Sequence, residues 1–261
     1  MYKNTYTPPI PAEIPSDTHA KTPKEEYDFN YALLTQPIQV LEGPGRDVRL
    51  EPFVPSIYAE KLYIGAKDHP ELVRYLPFDL WQSVGDVNIF LEEFFRREQS
   101  RLLYAIIDKK TETFAGMISW INSSPKDLTS EIGFVFILPP AQRTHVLTHS
   151  VSLLLEHGFN LPSDGGLGLR RIQWQANELN LPSTKAALRL GFVLESPIRI
   201  RLQRTVKPGK EGSYSGRQGD GLYEAGRMSR NTNILSLTYI DWLEDGKREH
   251  VQSLVERKPK A

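Results

Sequence analysis

Residues 131 to 192 decide the fold, and they open with the strand pattern Glu131-Ile-Gly-Phe-Val-Phe-Ile-Leu138. This run is almost continuously apolar, which is typical of a strand buried on both faces. After Pro139-Pro140 and a short turn, apolar residues recur at helical spacing over Val146 to Phe159. A strand that leads through a turn into a helix presents consecutive backbone amides at the positive end of the helix dipole. The sequence therefore predicts a phosphate-binding turn between Leu138 and Val146.

A second strand and a second helix complete this stretch. Arg171-Ile-Gln-Trp-Gln-Ala176 alternates apolar and polar residues as a strand does, and Leu181 to Leu190 has helical spacing. Gly191 follows at the position where a helix-ending glycine is expected. Strands that alternate with crossover helices predict a mixed sheet.

Further elements are expected on both sides. Strands are predicted at residues 48–53, 102–107, 114–121, 193–202 and 233–240. The second and third of these flank a polar turn and form a predicted hairpin. Helices are expected over Val87 to Arg97 and over Trp242 to Leu254, the latter capped by Asp241. The predicted fold class is α/β, with a twisted mixed sheet of about seven strands flanked by helices.

Several short motifs in residues 131 to 199 carry a family resemblance. They are Glu131-Ile-Gly133, Pro140, Gln142-Arg-Thr, Arg171-Ile-Gln-Trp174, Asn180-Leu-Pro-Ser183, Arg189-Leu-Gly-Phe192, Glu195 and Arg199. Together they resemble the GNAT superfamily of acyl-CoA N-acyltransferases, and within it the RimJ/RimL-like branch. The Gln-Arg-Thr loop is similar to a fungal and bacterial subgroup in which the usual glycines are replaced. The resemblance implies a sheet splayed between its fourth and fifth strands.

The resemblance implies acetyl-CoA as co-substrate. Pantetheine would pair with the end of the fourth strand, the pyrophosphate would sit on loop amides, and an asparagine would hydrogen-bond the pantetheine arm. The implied cofactor-binding residues are Phe136, Ile137, Leu138, Gln142, Arg143, Thr144, His145, Val146, Leu147 and Asn180. His145 stands where the motif prefers glycine and Leu147 where it prefers glycine or alanine; backbone binding tolerates both if their side chains point away. Ser196-Pro197 replaces the glycine that usually follows Glu195.

The implied chemistry is direct attack of an amine on the thioester in a ternary complex. A base must first take a proton from the ammonium group. Glu131 is the candidate base, and an ion pair at a strand end is the alternative reading. Ser183 is the candidate near the departing thiolate, with a first-turn helix position as its alternative. Asn180, the implied pantetheine ligand, is equally well placed as a helix N-cap.

Composition excludes several other classes. The 261 residues contain 32 basic and 32 acidic side chains and no cysteine. A neutral chain argues against a nucleic-acid binder, and the lack of cysteine excludes an enzyme-bound thioester. His145, His149 and His157 could form a metal-binding helix edge, but there is no HExxH motif, so no metal is expected. The sequence has no apolar run long enough for a signal peptide or a membrane span, so a cytoplasmic location is expected. The expected oligomeric state is a monomer or a homodimer.

The chain is predicted to divide into three parts. Residues 1–45 are rich in proline and form an arm, residues 46–243 form the acyltransferase domain, and residues 244–261 hold the end of the last helix and a charged tail. Residues 205–230 are a glycine-rich insertion that is expected to gate the amine. The predicted function is transfer of an acetyl group to a protein N-terminus, a lysine or a small amine. A catalytically silent CoA-binding protein and an O- or longer-acyl transferase remain alternatives.

Overall fold

The structure is a computed structural model, and it describes residues 13–33, 37–195 and 200–257. The prolines at the start of the predicted arm, the substitution Ser196-Pro197 with Arg199, and the last residues of the charged tail lie outside the described residues.

One mixed sheet forms the centre of the fold. Within the described ranges its strands are β1 Val48–Pro52, β2 Leu102–Asp108, β3 Thr113–Ser124, β4 Thr129–Ile137, β5 Arg171–Asn177, β6 Val193–Leu194, β7 Ile200–Val206, β8 Tyr214–Ser215 and β9 Met228–Thr238. The sheet order is β1-β2-β3-β4-β5-β9-β6, and β7 and β8 also pair with β9. The predicted hairpin of β2 and β3 is confirmed, as is the mixed α/β class.

The sheet opens between β4 and β5. These two strands pair in parallel only from Thr129 to Glu131, opposite Arg171 to Gln173. Beyond that point each continues without the other, and the predicted splay between the fourth and fifth strands is confirmed. A bulge then bends β4, because Phe134 and Val135 together oppose Ile118 of β3, and Phe134 has a φ of 45°.

Helices cover both faces of the sheet. They are α1 Pro55–Ala66, α2 Val84–Leu91, α3 Val146–Phe159, α4 Leu181–Arg189, α5 Gly221–Glu224, α6 Tyr239–Leu243 and α7 Lys247–Val255. One buried apolar cluster packs the sheet against α3, α4 and α7, and another packs the opposite face against α1 and α2. Helix α3 has the predicted bounds, and α4 ends at a left-handed Gly191 with φ 93°.

The predicted last helix is wrong in its start and its continuity. Thr238, and not Asp241, is the N-cap of α6, while Asp241 accepts from the Thr238 amide in a capping box. Gly246 then adopts a φ of 74° and separates α6 from α7. Residues 239 and 240, predicted as the end of a strand, form the first turn of α6. The strand predicted over 193–202 is two strands, β6 and β7, and sequence patterning missed α1 and β8.

The described part of the proline-rich segment packs on the domain. Tyr27 and Tyr31 are buried, and the Tyr31 hydroxyl hydrogen-bonds Ser123. The Asn88 side chain of α2 donates to the carbonyl of Ser16. The first part of the segment therefore contacts α1 and α2, whereas Tyr31 packs in the cluster on the α3 side of the sheet. Among the described residues, no helix has the length and apolar character needed to cross a membrane.

Candidate active site

The carboxyl group of Glu131 lies where β4 and β5 part. The residue is 4% exposed, and its Oε2 accepts hydrogen bonds from the amide groups of Asn122, Gln173 and Gln175 at 2.8, 3.2 and 2.9 Å. Gln173 and Gln175 alternate along β5 with Ile172 and Trp174, which belong to the core under α3. The glutamines therefore face the opposite side of the sheet, toward α1 and α2.

Burial raises the pKa of Glu131 above its ordinary value. The hydrogen bonds from Asn122 and Gln173 oppose this shift, as do the positive charges of Arg204 and Arg230. A carboxyl group shifted upward by desolvation is a stronger base when ionised, which suits proton removal from an ammonium group. Sequence patterning did not single out the three amide side chains, although the alternation in β5 already places Gln173 and Gln175 on one face.

The end of β4 offers an unpaired edge beside the splay. Phe136, Ile137 and Leu138 follow the bulge, and on one side they bond to β3. On the other side β5 has moved away, and the carbonyl of Ile137 accepts from the side chain of Gln142 at 3.0 Å. The predicted pantetheine-pairing residues thus lie along an open strand edge.

The turn between β4 and α3 presents amides without acceptors. Within the described residues, the N–H groups of Arg143, Thr144, His145 and Leu147 have no backbone or side-chain acceptor, and that of Val146 has only a 3.3 Å contact with the Thr144 hydroxyl. Arg143 adopts a φ of 61°, a strained conformation for a side chain of this size. This strain turns the chain so that successive amides precede the helix, as phosphate binding requires.

The two side chains that replace loop glycines point away from these amides. The ring of His145 lies 3.3 Å from the carboxylate of Asp108, and Leu147 packs against the core below α3. Backbone amides therefore remain accessible despite the substitutions. The turn fits a pyrophosphate group, and Gln142 to Leu147 are the residues that would hold the cofactor's phosphates.

Asn180 and Ser183 stand at the start of α4. Asn180 is its N-cap, and its side-chain oxygen accepts from the Ser183 amide at 3.2 Å. The Ser183 hydroxyl in turn accepts from the indole N–H of Trp174 at 2.9 Å. Among the described residues, the Asn180 amide NH₂ has no acceptor, and neither has the Ser183 hydroxyl proton. Both groups can therefore donate to a ligand. The bond from Trp174 is a contact that sequence reasoning missed.

Two histidines at the start of α3 lie close to Asp47, but His149 and Asp47 already bond to other groups of the protein. Ligand atoms of Asp47, His145 and His149 lie within 4.8 Å of one another. However, His149 accepts from the Asp47 amide through Nδ1 at 2.9 Å and contacts the Val255 carbonyl through Nε2 at 3.2 Å. The Asp47 carboxylate pairs with Lys110 at 2.7 Å. These bonds give His149 a structural role as a tie between α3, β1 and α7.

The segment after β7 covers the face that Glu131 shares with Gln173 and Gln175. Lys210 donates to the Val73 carbonyl at 3.1 Å, and Lys207 pairs with Asp79 at 3.0 Å. Glu211 bonds Arg74 through its carboxylate and Asn177 of β5 through its carbonyl. The start of the glycine-rich insertion thus bridges the α1–α2 connection and the end of β5.

Comparisons with known proteins agree with this geometry. A family model described as an acetyltransferase (GNAT) domain matches residues 47–193. A GCN5-related N-acetyltransferase from Brucella melitensis is 23% identical over 85% of this chain and 87% of that chain, with a TM-score of 0.68. A GNAT-family acetyltransferase from Bacillus anthracis is 13% identical, with 77% and 99% covered and a TM-score of 0.55. A spermidine N-acetyltransferase from Vibrio cholerae, in complex with CoA and spermine, is 11% identical, with 76% and 99% covered and a TM-score of 0.56. No curated protein sequence matches the chain.

Proposed function

Because the chain belongs to the GNAT acetyltransferase family, we propose that it transfers the acetyl group of acetyl-CoA to a primary amine by direct attack in a ternary complex. The observation that carries this proposal is the buried carboxyl of Glu131, held by three amides at the point where β4 and β5 part. In such a reaction the amine nitrogen bonds to the thioester carbon, the carbon–sulfur bond breaks, and one proton is released.

Glu131 acts as the general base in this proposal. Its Oε2 is fixed by three donors, and no donor among the described residues reaches Oε1. The free oxygen can accept a proton from the acceptor ammonium group, directly or through one water molecule. The raised pKa of Glu131 brings its basicity closer to neutral pH than that of an exposed carboxylate.

Ser183 stabilises the departing thiolate in this proposal. Because its oxygen already accepts from Trp174, its proton is directed to another partner. A thiolate that forms beside α4 would be stabilised by that proton and by the nearby start of the helix. Asn180, with its amide NH₂ free, would bind the pantetheine arm while its oxygen caps the helix.

Acetyl-CoA is held at two places in this proposal. The pantetheine lies along the open edge of β4 at Phe136 to Leu138, and the pyrophosphate lies on the amides between Gln142 and Leu147. Because the chain as a whole is neutral, these local amides and the α3 dipole supply the attraction for the anion. The cofactor's bound thioester provides the activated acetyl group.

We place the enzyme in the RimJ/RimL-like branch on the motif Asn180-x-x-Ser183 followed by Arg189-Leu-Gly-Phe192. The spermidine acetyltransferase among its structural neighbours shows that this fold serves small amines in at least one relative. Protein N-termini, lysines and small amines are all retained as acceptors. The cytoplasmic location stays a prediction.

The test measures release of free thiol from acetyl-CoA across a panel of amines. Glu131→Gln should lower kcat by about 10²- to 10⁴-fold, the usual contribution of a general base, with little change in acetyl-CoA affinity. Glu92→Gln is the matched control, since Glu92 is also buried but pairs with Arg96 and Arg97. Equal kcat losses in the two variants would remove Glu131 as the base.

Thermal stabilisation by CoA separates the remaining alternatives. Stabilisation without thiol release from any amine would identify a catalytically silent CoA-binding protein. Release with alcohols instead of amines, or only with longer acyl-CoA donors, would identify the other transferases. A protein that CoA does not stabilise would contradict the proposal entirely.

A further inference from the structure

Two arginines face each other on the strands beside the candidate base. Arg204 of β7 stands directly opposite Arg230 of β9 in the antiparallel pair. A register shift between Ile200 and Arg204 produces this pairing, since uninterrupted pairing from Ile200 would put Leu202 opposite Arg230. Leu202 takes a φ of 49° at this irregularity. Like charges placed directly across a strand pair are destabilising, so the arrangement costs the fold stability.

Both guanidinium groups are on the side of the sheet that carries Glu131. Arg230 donates through Nε to Thr232 at 3.2 Å, two residues along the same face of β9. Thr232 pairs with Asn177 of β5, and side chains at every second position share a face. That face includes Gln173 and Gln175, which bind Glu131. The positive charges of both arginines also act on the Glu131 carboxyl group, whose pKa they lower.

No carboxylate of the described residues forms a salt bridge with either arginine, and Glu131 acts on Arg230 only at longer range. Elsewhere in the fold arginines form ion pairs, as Arg46 does with Glu156 and Arg171 with Glu195. Neither Arg204 nor Arg230 has a carboxylate within salt-bridge distance in the described chain. Burial and the nearby Arg204 lower the pKa of Arg230.

Two acids near the arginine pair bond to other residues. Glu178 accepts from the Asn231 side chain, and Glu211 pairs with Arg74. Arg227, at the start of the same strand, has a buried Nε without a hydrogen-bond partner in the described chain. Arg230 is partly buried and Arg204 is exposed, so this pair, which has no salt-bridge partner in the described chain, is open to an anion from outside the protein.

We propose that the acceptor is an amine that also carries a carboxylate or phosphate group, and that Arg204 and Arg230 bind this anion while the amine faces Glu131. The inference rests on the proposed acetyl transfer. The anion is not consumed: the amine nitrogen bonds to the acetyl carbon, CoA leaves as the thiol, and the amine's proton passes to Glu131. Binding the anion also offsets the positive field on Glu131, which makes its carboxylate a stronger base when the acceptor is present.

Coenzyme A is the other source of a phosphate for these arginines. The amides suited to its pyrophosphate lie in the turn before α3, on the connection from β4. The arginines lie on β7 and β9, across the splay and beyond β5. This separation assigns the arginine pair to the acceptor, and the experiment below tests it with dephospho-CoA.

The experiment compares amines that differ only in the anionic group. The pairs are amino acids with their amides, for the carboxylate, and phosphoethanolamine with ethanolamine, for the phosphate. The readout is the ratio of kcat/KM within each pair, so a general loss of activity cancels. We expect the anionic member to be favoured at least about tenfold, and Arg230→Met and Arg204→Met each to reduce that ratio by at least about tenfold, the effect of losing a charge-assisted hydrogen bond.

Two further variants control for charge and geometry. Arg217→Met removes an exposed arginine from the same insertion and should leave the ratio unchanged. Arg230→Lys keeps the charge without the two-pronged geometry and should retain part of the preference. A wild-type ratio near one, or a ratio that Arg217→Met changes as much as Arg230→Met, would overturn the proposal.

A binding measurement keeps this inference separate from the proposed function. Calorimetry with CoA present and each amine of the matched pairs requires no turnover. Tighter binding of the anionic member that Arg230→Met abolishes supports the anion site even if no thiol is released. If Arg230→Met instead weakens acetyl-CoA more than dephospho-CoA, the arginines bind the cofactor's phosphate and the proposal is wrong.

Discussion

Among the described residues, no cationic group directly contacts the buried carboxyl of Glu131. Desolvation raises its pKa, so the folded protein binds a proton on this group more tightly than the unfolded chain does. Between the ordinary pKa of a glutamate and the raised value, stability therefore falls as the pH rises. At neutral pH the ionised form of Glu131 therefore lowers the free energy of unfolding, as is common for groups with a catalytic role.

The first prediction follows from that sign. Glu131→Gln should raise Tm at pH 8 and should raise it less, or not at all, at pH 4.5, where the native glutamate is protonated. The measurement is thermal unfolding of both proteins across this pH range. Glu92→Gln, which removes a carboxylate paired with two arginines, should lower Tm at pH 8. A Tm at pH 8 that Glu131→Gln lowers would show that the charged form is stabilised in place.

A second prediction concerns the serine at the start of α4. Trp174→Phe removes the N–H that fixes the Ser183 oxygen while keeping an aromatic ring in the core. If Ser183 serves the thiolate, kcat should fall by about three- to tenfold, as for one hydrogen bond, with acetyl-CoA affinity little changed. Ser183→Ala alone should give a similar loss, and the double variant should lose no more than either. Additive losses would mean that Trp174 acts through packing.

At this scale the sequence could predict the positions of charge but not their partners. Glu131 and Ser183 are recognisable from their motifs. The donors to Glu131 come from two strands, Asn122 from β3 and Gln173 and Gln175 from β5, and only the pairing of these strands with β4 brings them together. The arginine pair was invisible because the irregularity in β7, and not the sequence spacing, sets Arg204 opposite Arg230.

Two properties of helix α3 depend on the whole element: the free amides of its first turn and the burial of its histidines. Its first turn offers amides to an anion, while its histidines lie along its buried side. Burial lowers the pKa of His157 to about 4 and also lowers that of His149. The unfolded chain takes up protons on these imidazoles near their ordinary pKa of 6.5, whereas the folded helix resists them. Stability should therefore be lost as the pH falls from 7 to 5.

The third prediction isolates one of these groups. His157→Gln should remove about 1 to 2 kcal/mol of the stability difference between pH 7 and pH 5, because glutamine does not titrate. Urea unfolding at the two pH values measures the difference directly. His69→Gln, which makes the same substitution at an exposed histidine, is the control. An unaltered difference in His157→Gln would show that His157 does not titrate in this range.

Elements with strong one-sided patterns were predicted well, and the others were not. The bounds of α3 follow from its apolar spacing, and those of α4 from Asn180 and Gly191. Strand β7 carries mostly exposed residues and is interrupted in register, so it lacks the alternation that marks a half-buried strand. Helix α1 has Pro55 in its first turn but lacks an acidic first turn and a side-chain cap, so only one of the usual signals of a helix start is present.

At the scale of the whole molecule, the glycine-rich insertion joins the two sides of the splayed sheet. Its first residues tie the connection between α1 and α2 to the end of β5 through Lys207, Lys210 and Glu211. These ties are exposed or partly exposed ion pairs and hydrogen bonds, each worth little and each screened by salt. We therefore expect this segment to be held weakly enough to open for an acceptor and to close over it.

The fourth prediction tests this cover. Lys207→Met with Lys210→Met removes both lysine ties to Asp79 and should raise the acceptor KM by about two- to fivefold at low salt, the loss expected for one exposed and one partly exposed ion pair. The KM for acetyl-CoA should not change, because the proposed site for its phosphates lies across the splay. Raising the ionic strength should bring the wild-type acceptor KM toward that of the variant. Lys67→Met, which removes an ion pair with Asp68 within the α1–α2 connection itself, should have no effect.

The double lysine variant could also leave the acceptor KM unchanged while the arginine variants still alter acceptor preference. That result would show that the anion site works without the cover and that the insertion is not a gate.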